Sequence, residues 1–293
     1  MQFAHRFWRL TGRDDVLGPD AEEAFTLVVE TLSRERRHEQ QSSYRFVREG
    51  ANALDTLARD GLGSEVAENG MTWSGFRPSD DACVYGYNTA ANLLAASSLG
   101  QLAELTSDSA LAERARILAD DLQEATLRHA QVDTEDFGTV LAYELDGRGN
   151  HLLMDDANLP SLLGLPLVTS LRLDDPLYMR TRAMVLSESN PYYYRGADAA
   201  GIGSPHTWPD YVWPIALAVE GLTDPDRDNQ RAMCLLLART TGGTDRFHES
   251  FDVNDPTRFT RPWFSWADSM FALLAFESAG EGLSAALRAV DSA

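Results

Sequence analysis

The chain alternates between long segments whose apolar residues recur at helical spacing and short joints rich in glycine, proline and tryptophan. Between residues 20 and 39, for example, Ala24, Leu27, Val28 and Leu32 share one helical face. This spacing predicts helices over 20–39, 80–98, 107–129, 156–169, 175–187, 208–222, 225–241 and 262–278, with a shorter one near 282–290. The pattern therefore predicts an all-α fold.

Strand-like patterns are short. Residues 140–145 alternate between apolar and polar side chains before the turn Asp146–Gly147, and residues 151–154 could pair with them, so one β-hairpin is predicted. We find no short repeat, low-complexity tract or flexible linker, and residues 1–293 are therefore expected to form one domain.

The charge balance excludes one class of partner. The 293 residues carry 25 cations and 45 carboxylates, for a formal net charge of −20, and every permanent side-chain cation is an arginine. Such an acidic surface repels a phosphate backbone, so nucleic-acid binding is not expected. An acidic, lysine-free composition is typical of a salt-adapted organism, which gives a halophilic origin as a hypothesis.

The cysteines and the N-terminal residues bear on the compartment. Cys83 and Cys234 stand far apart without metal-ligand spacing, so neither a disulfide framework nor a zinc site is indicated. Arginines interrupt the apolar residues near the N-terminus, leaving no core for a signal peptide or membrane span. We expect a cytoplasmic protein without membrane contacts.

The joints between helices carry the candidate functional residues. If alternate helices form the inner ring of an α/α toroid, the joints at one end converge on a single pocket. Five of the six tryptophans lie in or beside these joints, at Trp73, Trp208, Trp213, Trp263 and Trp266. Aromatic rings among carboxylates and arginines suit a sugar, whose C–H faces stack on rings while its hydroxyls bind polar groups. The alternative is that the tryptophans anchor the core and the polar residues cap helices.

Hydrolysis of a glycoside requires two carboxyl groups. The candidates in the joints are Asp80, Asp81, Asp155, Asp156, Asp210 and Glu249. Glu249 is the most suggestive, because it follows a glycine-rich helix end and lies beside His248 and Phe251. Asp80 and Asp81 follow Ser79 at a predicted helix start, where capping is the alternative role.

Motifs for other chemistries are incomplete. His248 and Glu249 lack the second histidine of a zinc-protease helix, and Gly201–Ser204 lacks a complete dinucleotide or phosphate-loop fingerprint. The Gly-x-Ser-x-Gly elbow of serine hydrolases is missing from the sequence. These patterns disfavour zinc-protease, nucleotide-binding and serine-hydrolase functions.

Together, the joint motifs resemble those of glycoside hydrolase family 125 and occur in that family's order. They are SYRF at 43–46, GMTWSGFRPSDDAC at 70–83, LMDDAN at 153–158, GSPH at 203–206, HESF at 248–251 and FTRPWF at 259–264. The resemblance extends from about Phe3 to Phe276, and the motif at 70–83 is highly specific. It implies an (α/α)6 barrel and an exo-acting α-mannosidase that removes non-reducing terminal α-1,6-linked mannose with inversion, without a metal or cofactor.

The resemblance also implies roles for individual residues. Either Asp80 or Asp81 would be the general acid, and Glu249 the general base. An inverting pair is expected to stand roughly 6.5–9.5 Å apart, which leaves room for water. The expected mannose-binding residues are Arg77, Asp155, Asn158, His206, His248 and Arg261, with Trp73 and Trp263 lining the pocket and Asp210 in a weaker supporting role.

The chain also departs from the family pattern. Family members carry a longer N-terminal region with a Trp-Leu-Arg-Asp-Ser motif that forms part of the sugar pocket, whereas residues 3–12 here resemble the end of a barrel helix and its exit turn. We therefore expect a barrel that is incomplete at its N-terminus. A misassigned start codon, a separate polypeptide that completes the barrel, or a decayed paralogue that binds sugar weakly would each account for this difference.

Overall fold

A computed structural model of the chain describes residues 1–15 and 17–280, and helices dominate these residues, as the sequence predicts. The helices are α1 (Gln2–Thr11), α2 (Pro19–Glu35), α3 (His38–Gln41), α4 (Thr89–Leu105), α5 (Ser109–His129), α6 (Leu165–Val168), α7 (Pro176–Val185), α8 (Pro214–Leu222), α9 (Arg227–Arg239) and α10 (Ser265–Ser278). The helix predicted near 282–290 lies outside the described residues.

Side-chain caps fix the starts of several helices. Asp108, Asp175 and Asp226 each accept hydrogen bonds from the first backbone N–H groups of α5, α7 and α9. At the other end of a helix, Gly12 terminates α1 in a left-handed conformation with φ of 66°. The predictions of helices over 107–129, 175–187 and 225–241 are confirmed to within two residues.

The helix predicted from residue 80 begins later, at Thr89. The carboxamide of Asn88 accepts a hydrogen bond from the N–H of Ala91 and caps this helix, α4. Before it, residues 76–82 form a turn closed by a bridge between Phe76 and Ala82. Asp80 and Asp81 therefore lie in a loop, and the prediction that they stand at a helix start is wrong.

Residues 156–169 contain only one short helix, α6, at their end. The two carboxylate oxygens of Asp155 accept hydrogen bonds from the N–H groups of Leu162 and Leu163, each at 2.8 Å, which holds the segment in irregular turns. The predicted helix over 208–222 likewise starts only at Pro214, because Tyr211 and Val212 form a strand instead.

The strands form four small sheets beside the helices. They are β1 (Tyr87–Asn88), β2 (Gln131–Thr134), β3 (Gly138–Leu141), β4 (Glu144–Leu145), β5 (His151–Leu152), β6 (Tyr193–Arg195), β7 (Ala200–Ile202), β8 (Tyr211–Val212), β9 (Ser250–Asp252) and β10 (Asp255–Thr260). The sheet orders are β1-β4-β5, β10-β9-β8, β2-β3 and β6-β7, with antiparallel pairing throughout these sheets.

The predicted hairpin is confirmed in part. Leu145 pairs with His151 and Glu144 with Leu152, so the turn at Asp146–Gly147 connects two strands as expected. The preceding residues 138–141 pair with 131–134 instead, because a second turn lies between those strands.

The core surrounds helix α8. Every residue of α8 except Glu220 is buried, which is typical of a helix covered on all sides. It packs against α9 and α10. A second cluster, which includes Phe25, Leu99 and Leu122, fills the space between α2, α4 and α5. None of the helices in the described part of the chain has the length and apolar character needed to span a membrane.

Glu220 makes stability depend on pH. Burial raises its pKa to about 7, and the nearby charge of Asp224 adds to the rise while Arg182 opposes it. The folded chain therefore keeps a proton that the unfolded chain releases, so this group lowers the free energy of unfolding as pH rises towards 7. At about pH 8, we expect Glu220→Gln to raise that free energy by about 1–3 kcal/mol.

Urea unfolding between about pH 5 and pH 8 measures this effect. The gain in the variant should shrink as pH falls, because protonated Glu220 resembles glutamine. Glu113→Gln on the exposed face of α5 is the matched control. A gain of the same size at every pH would contradict the assignment.

Candidate active site

The motif at 70–83 forms a tight turn that presents Asp80. The N–H of Asp80 donates to the carbonyl oxygen of Arg77 at 3.0 Å, and the N–H of Arg77 donates to that of Asp81 at 2.8 Å. Pro78 holds the second position of the turn, where its fixed φ fits. Asp80 is exposed in the left-handed region, with φ of 69°, whereas Asp81 is only 1% exposed. The turn therefore sends two adjacent carboxylates into different environments.

Arg77 anchors this turn from beneath. Its Nε donates to Oε1 of Glu144 at 2.5 Å, and both side chains are buried. The other oxygen of Glu144 accepts the N–H groups of Val84 and Tyr85. Burial alone would lower the pKa of Arg77, but the hydrogen bond and charge of Glu144 outweigh it and raise that pKa. The described contacts give Arg77 a structural role, and its contact with mannose stays a prediction.

His206 joins the buried carboxylate of this turn. Its Nδ1 lies 2.9 Å from Oδ1 of Asp81, while Oδ2 of Asp81 is buried without a hydrogen-bond partner among the described residues. The hydrogen bond with Asp81 raises the pKa of His206 despite partial burial. The charges of Glu249 and Asp156 raise it further, which places both carboxylates within electrostatic reach of the imidazole.

A row of ring contacts connects His206 to Glu249. The His206 ring meets Trp213 edge-on at 6.3 Å between centroids, and Trp213 meets Phe264 edge-on at 6.1 Å. The guanidinium of Arg261 lies 5.7 Å from the Phe264 ring, and its Nε donates to Glu249 at 2.6 Å. Residues from three joints predicted by the sequence therefore meet at one site.

Strand register places Glu249 beside Arg261. Strands β9 and β10 pair Ser250 with Thr260 in antiparallel register, so the residue before β9 lies opposite the residue after β10. The N–H of Glu249 donates to the carbonyl oxygen of Thr260. Glu249 is 6% exposed, whereas most of the Arg261 side chain faces solvent, so the ion pair stands at the edge of the site.

His248 supports the strands and does not face the site. Its ring stacks on Phe259 at 3.5 Å between centroids. Nδ1 lies 2.8 Å from the carbonyl oxygen of Arg261, and Nε2 lies 3.1 Å from that of Thr241. With its nitrogens engaged and the side chain buried, His248 ties the strand pair to the end of α9. The contact of His248 with mannose stays a prediction.

The two tryptophans predicted to line the pocket differ. Trp73 is 8% exposed, stacks on His38 at 3.7 Å between centroids, and donates from its indole to the carbonyl oxygen of Ser64. Trp73 packs in the core, as the alternative interpretation of the tryptophans holds, and its place on the pocket wall stays a prediction. Trp263 is 56% exposed and donates to Asp268, so one indole near the site remains accessible.

The LMDDAN segment also turns inward. Asp155 is fully buried, and burial raises its pKa to about 7 against the hydrogen bonds from the N–H groups of Leu163 and Leu162. Asn158 is buried too, and its backbone and side-chain nitrogens donate to Oδ1 of Asp156. Both side chains hold their own loop through these bonds, and the contacts of Asp155 and Asn158 with mannose stay predictions. Asp210 is exposed, with φ of 64°.

Sequence reasoning missed three polar groups that shape the site. Glu144 lies in a predicted strand. A carboxylate among apolar neighbours was the sequence signal that could have indicated its buried role. Ser79 and Ser204 both donate to Oδ2 of Asp156, at 2.8 and 3.2 Å. Asp156 had been a candidate carboxylate without an assigned position, and the structure places it beneath the turn that carries Asp80.

The site has the parts for acid–base chemistry on a neutral substrate. An exposed carboxylate, Asp80, and a nearly buried one, Glu249, stand on separate loops, and His206 contacts Asp81 of the first loop and lies within electrostatic reach of Glu249. A cavity of about 790 Å³ lies elsewhere, between α1, α4, α5 and residues 166–174, and contains none of these groups. Within residues 1–15 and 17–280, the described side chains include no cluster arranged to hold a metal ion.

Comparison with known proteins identifies close relatives. Residues 1–276 match the sequence model of the metal-independent α-mannosidases, GH125. The meiotically up-regulated gene 157 protein of Schizosaccharomyces pombe is 43% identical over 236 residues, which are 79% of this chain and 46% of that protein.

A solved structure from Streptococcus pneumoniae is also similar to this chain. It superposes with a TM-score of 0.92 at 39% identity, covering 94% of this chain and 66% of the other. That protein is described as belonging to a family of metal-independent α-mannosidases linked to the processing of N-linked glycans, in a non-productive complex with α-1,6-mannobiose. The likeness confirms the predicted α/α barrel fold. The chain thus spans about half the length of the curated relative and 66% of the solved one.

Proposed function

The chain belongs to the metal-independent α-mannosidase family GH125, and from this premise we propose that it hydrolyses the bond joining a terminal α-mannose to the next sugar. The observation that carries the proposal is that His206 links two loops: it contacts Asp81, the neighbour of Asp80, and lies within electrostatic reach of Glu249, which Arg261 binds. Two carboxyl groups flanking one site are the requirement for hydrolysing a glycoside.

The two aspartates of the turn divide between two roles. A general acid must reach the oxygen of the departing sugar, so it needs access to the site. Asp80 is exposed at the tip of the turn, whereas Asp81 is buried and its Oδ1 is held by His206. We therefore assign the general acid to Asp80 and leave Asp81 to hold the imidazole.

The proposed reaction inverts the anomeric carbon. Glu249 takes a proton from water as the water oxygen attacks C1, the bond between C1 and the glycosidic oxygen breaks, and Asp80 gives its proton to that oxygen. The product is β-mannose. Each turnover leaves Glu249 protonated and Asp80 ionised, and proton exchange with solvent restores them. Arg261 holds the Glu249 carboxylate at 2.6 Å and so fixes its direction.

The proposed substrate is a terminal α-1,6-linked mannose on an oligosaccharide. Support comes from the 39% identical relative, which was captured with α-1,6-mannobiose. The indole of Trp263, two residues after Arg261 in the chain, is exposed and offers a face for a sugar ring. A neutral glycan also suits an acidic protein, because binding requires no anionic group to approach it.

Release of mannose from α-1,6-mannobiose tests the proposal. The reaction is followed by proton NMR with and without a chelator, at low and at molar salt, beside α-1,2- and α-1,3-linked mannobiose. We expect β-mannose to appear first, from the α-1,6 substrate, with no loss of rate in the chelator. Initial release of α-mannose would overturn inversion, and equal rates on all three substrates would overturn the linkage preference.

A folded chain that binds mannobiose in calorimetry but releases no mannose at either salt concentration would contradict the proposed hydrolysis.

A further inference from the structure

Asp156 connects two loops of the site through one oxygen atom. Its Oδ2 accepts a hydrogen bond from the hydroxyl of Ser79 at 2.8 Å and another from the hydroxyl of Ser204 at 3.2 Å. The two serines are 125 residues apart in sequence, and both are buried, as is Asp156 itself. A single carboxylate therefore sets the spacing between these loops.

Each serine lies within two residues of a member of the proposed machinery. Ser79 directly precedes Asp80 in the tight turn. The hydroxyl of Ser204 accepts the N–H of His206 at 3.2 Å, which fixes the backbone from which the imidazole projects. The His206 ring in turn contacts Asp81, which belongs to the same turn as Ser79 and Asp80. The two loops are therefore joined twice, once through Asp156 and once through the contact between His206 and Asp81.

We propose that Asp156 is a positioning residue for the reaction, which sets the place of Asp80 relative to His206 without touching the sugar. The inference rests on the proposed function. A buried carboxylate is costly unless it is hydrogen-bonded, and a neutral side chain would fill the same space at lower cost. The hydrogen-bond donors around Asp156 offset that cost. In return, these bonds fix the relative position of the two loops, and misplacing a reacting group by about 1 Å can lower the rate by about 10²-fold.

The charge of Asp156 provides a readout that does not need turnover. Asp81, Glu249 and Asp156 are the carboxylates whose charges raise the pKa of His206, and the hydrogen bond with Asp81 is the largest influence. An asparagine at 156 removes one charge while keeping the size of the side chain. The imidazole should then titrate at lower pH even in an inactive chain.

The experiment compares Asp156→Asn with Asp146→Asn in the full chain. Asp146 is also a buried carboxylate, but it bonds only within the turn between β4 and β5, to Arg148 and Asn150. We expect Asp156→Asn to lower kcat for α-1,6-mannobiose by about 10²-fold with KM within about threefold, and to lower the pKa of His206 in an NMR titration. Asp146→Asn should change neither.

A second variant keeps the carboxylate in case Asp156→Asn folds poorly. Replacing Ser79 and Ser204 together by alanine removes both bridging donors, and kcat should fall to a similar extent. Unchanged kcat in either folded variant would overturn the inference, as would a loss equal to that of Asp146→Asn. If the wild-type chain releases no mannose, the proposed function fails, while an unshifted His206 titration in Asp156→Asn counts against the positioning role separately.

Discussion

Glu249→Gln should abolish hydrolysis while leaving the fold intact. Glutamine keeps the size of the side chain and an oxygen that can accept the hydrogen bond from Arg261, but it cannot take a proton from water. General base catalysis contributes about 10²–10⁴-fold to a rate, so we expect kcat for α-1,6-mannobiose to fall by about 10³-fold or more. Steady-state kinetics and the urea unfolding midpoint measure the two effects.

Arg261 allows a sharper version of this test. In Glu249→Ala, the guanidinium loses its partner and a space opens beside it, which an azide ion can enter. Azide attacks C1 directly and needs no base, the bond from C1 to the glycosidic oxygen breaks, and Asp80 still protonates that oxygen. We expect azide to restore turnover and to yield β-mannosyl azide, identified by NMR.

Glu220→Gln is the matched control, because Glu220 is a largely buried glutamate on α8, outside the site. It should keep wild-type kcat. The assignment of Glu249 as the base is contradicted if Glu249→Gln retains more than about a tenth of wild-type kcat. Formation of α-mannosyl azide would instead indicate a reaction with retention.

The sequence predicted correctly those helices whose ends are set by residues within or next to the helix. Helices α5, α7 and α9 begin at an aspartate that caps its own helix, and the apolar spacing behind each cap is regular. The information for such helices lies within one short segment, so their prediction succeeded.

Predictions failed where a distant side chain binds the backbone. Residues 80–88 carry a helical pattern, yet Glu144 takes the N–H groups of Val84 and Tyr85 from 60 and 59 residues away. Nearer in sequence, Asp155 accepts the N–H groups of Leu162 and Leu163, seven and eight residues away, and residues 156–169 do not form the predicted long helix. The spacing of apolar residues cannot predict such bonds, because the fold must first bring both partners together.

The candidate site was also predictable only in part: the sequence indicated which residues meet there, but not which way their side chains face. Motif resemblance named residues that the structure does bring together, including Asp81, His206, Arg261 and Glu249. It could not tell which residues of a motif face outward. Nothing in the residue type of Trp73 shows that its ring packs against His38.

Asp80→Asn should remove the proton donor and leave the turn in place. Asparagine tolerates the left-handed conformation that Asp80 adopts at φ of 69°, so the chain should fold with an unfolding free energy close to that of wild type. For α-1,6-mannobiose, whose departing sugar oxygen needs protonation, we expect kcat to fall by about 10³-fold.

The leaving group separates loss of the acid from general damage. A 2,4-dinitrophenyl α-mannoside releases a stable phenolate and needs no proton, so Asp80→Asn should hydrolyse it within about tenfold of the wild-type rate. Asp81→Asn should differ, because it removes the charge from the buried contact with His206, weakens that contact, and should slow both substrates alike.

Asp80→Gly adds an independent check on the turn. Glycine adopts positive φ without strain, so this variant should unfold at the same or a higher urea concentration than wild type while remaining as inactive on mannobiose as Asp80→Asn. The strained conformation of Asp80 is explained if its side chain must point into the site to act as the acid.

The leaving-group test also decides between the two aspartates. If Asp81→Asn shows the dependence on leaving group and Asp80→Asn does not, the acid is Asp81, and the buried carboxylate must become accessible when sugar binds.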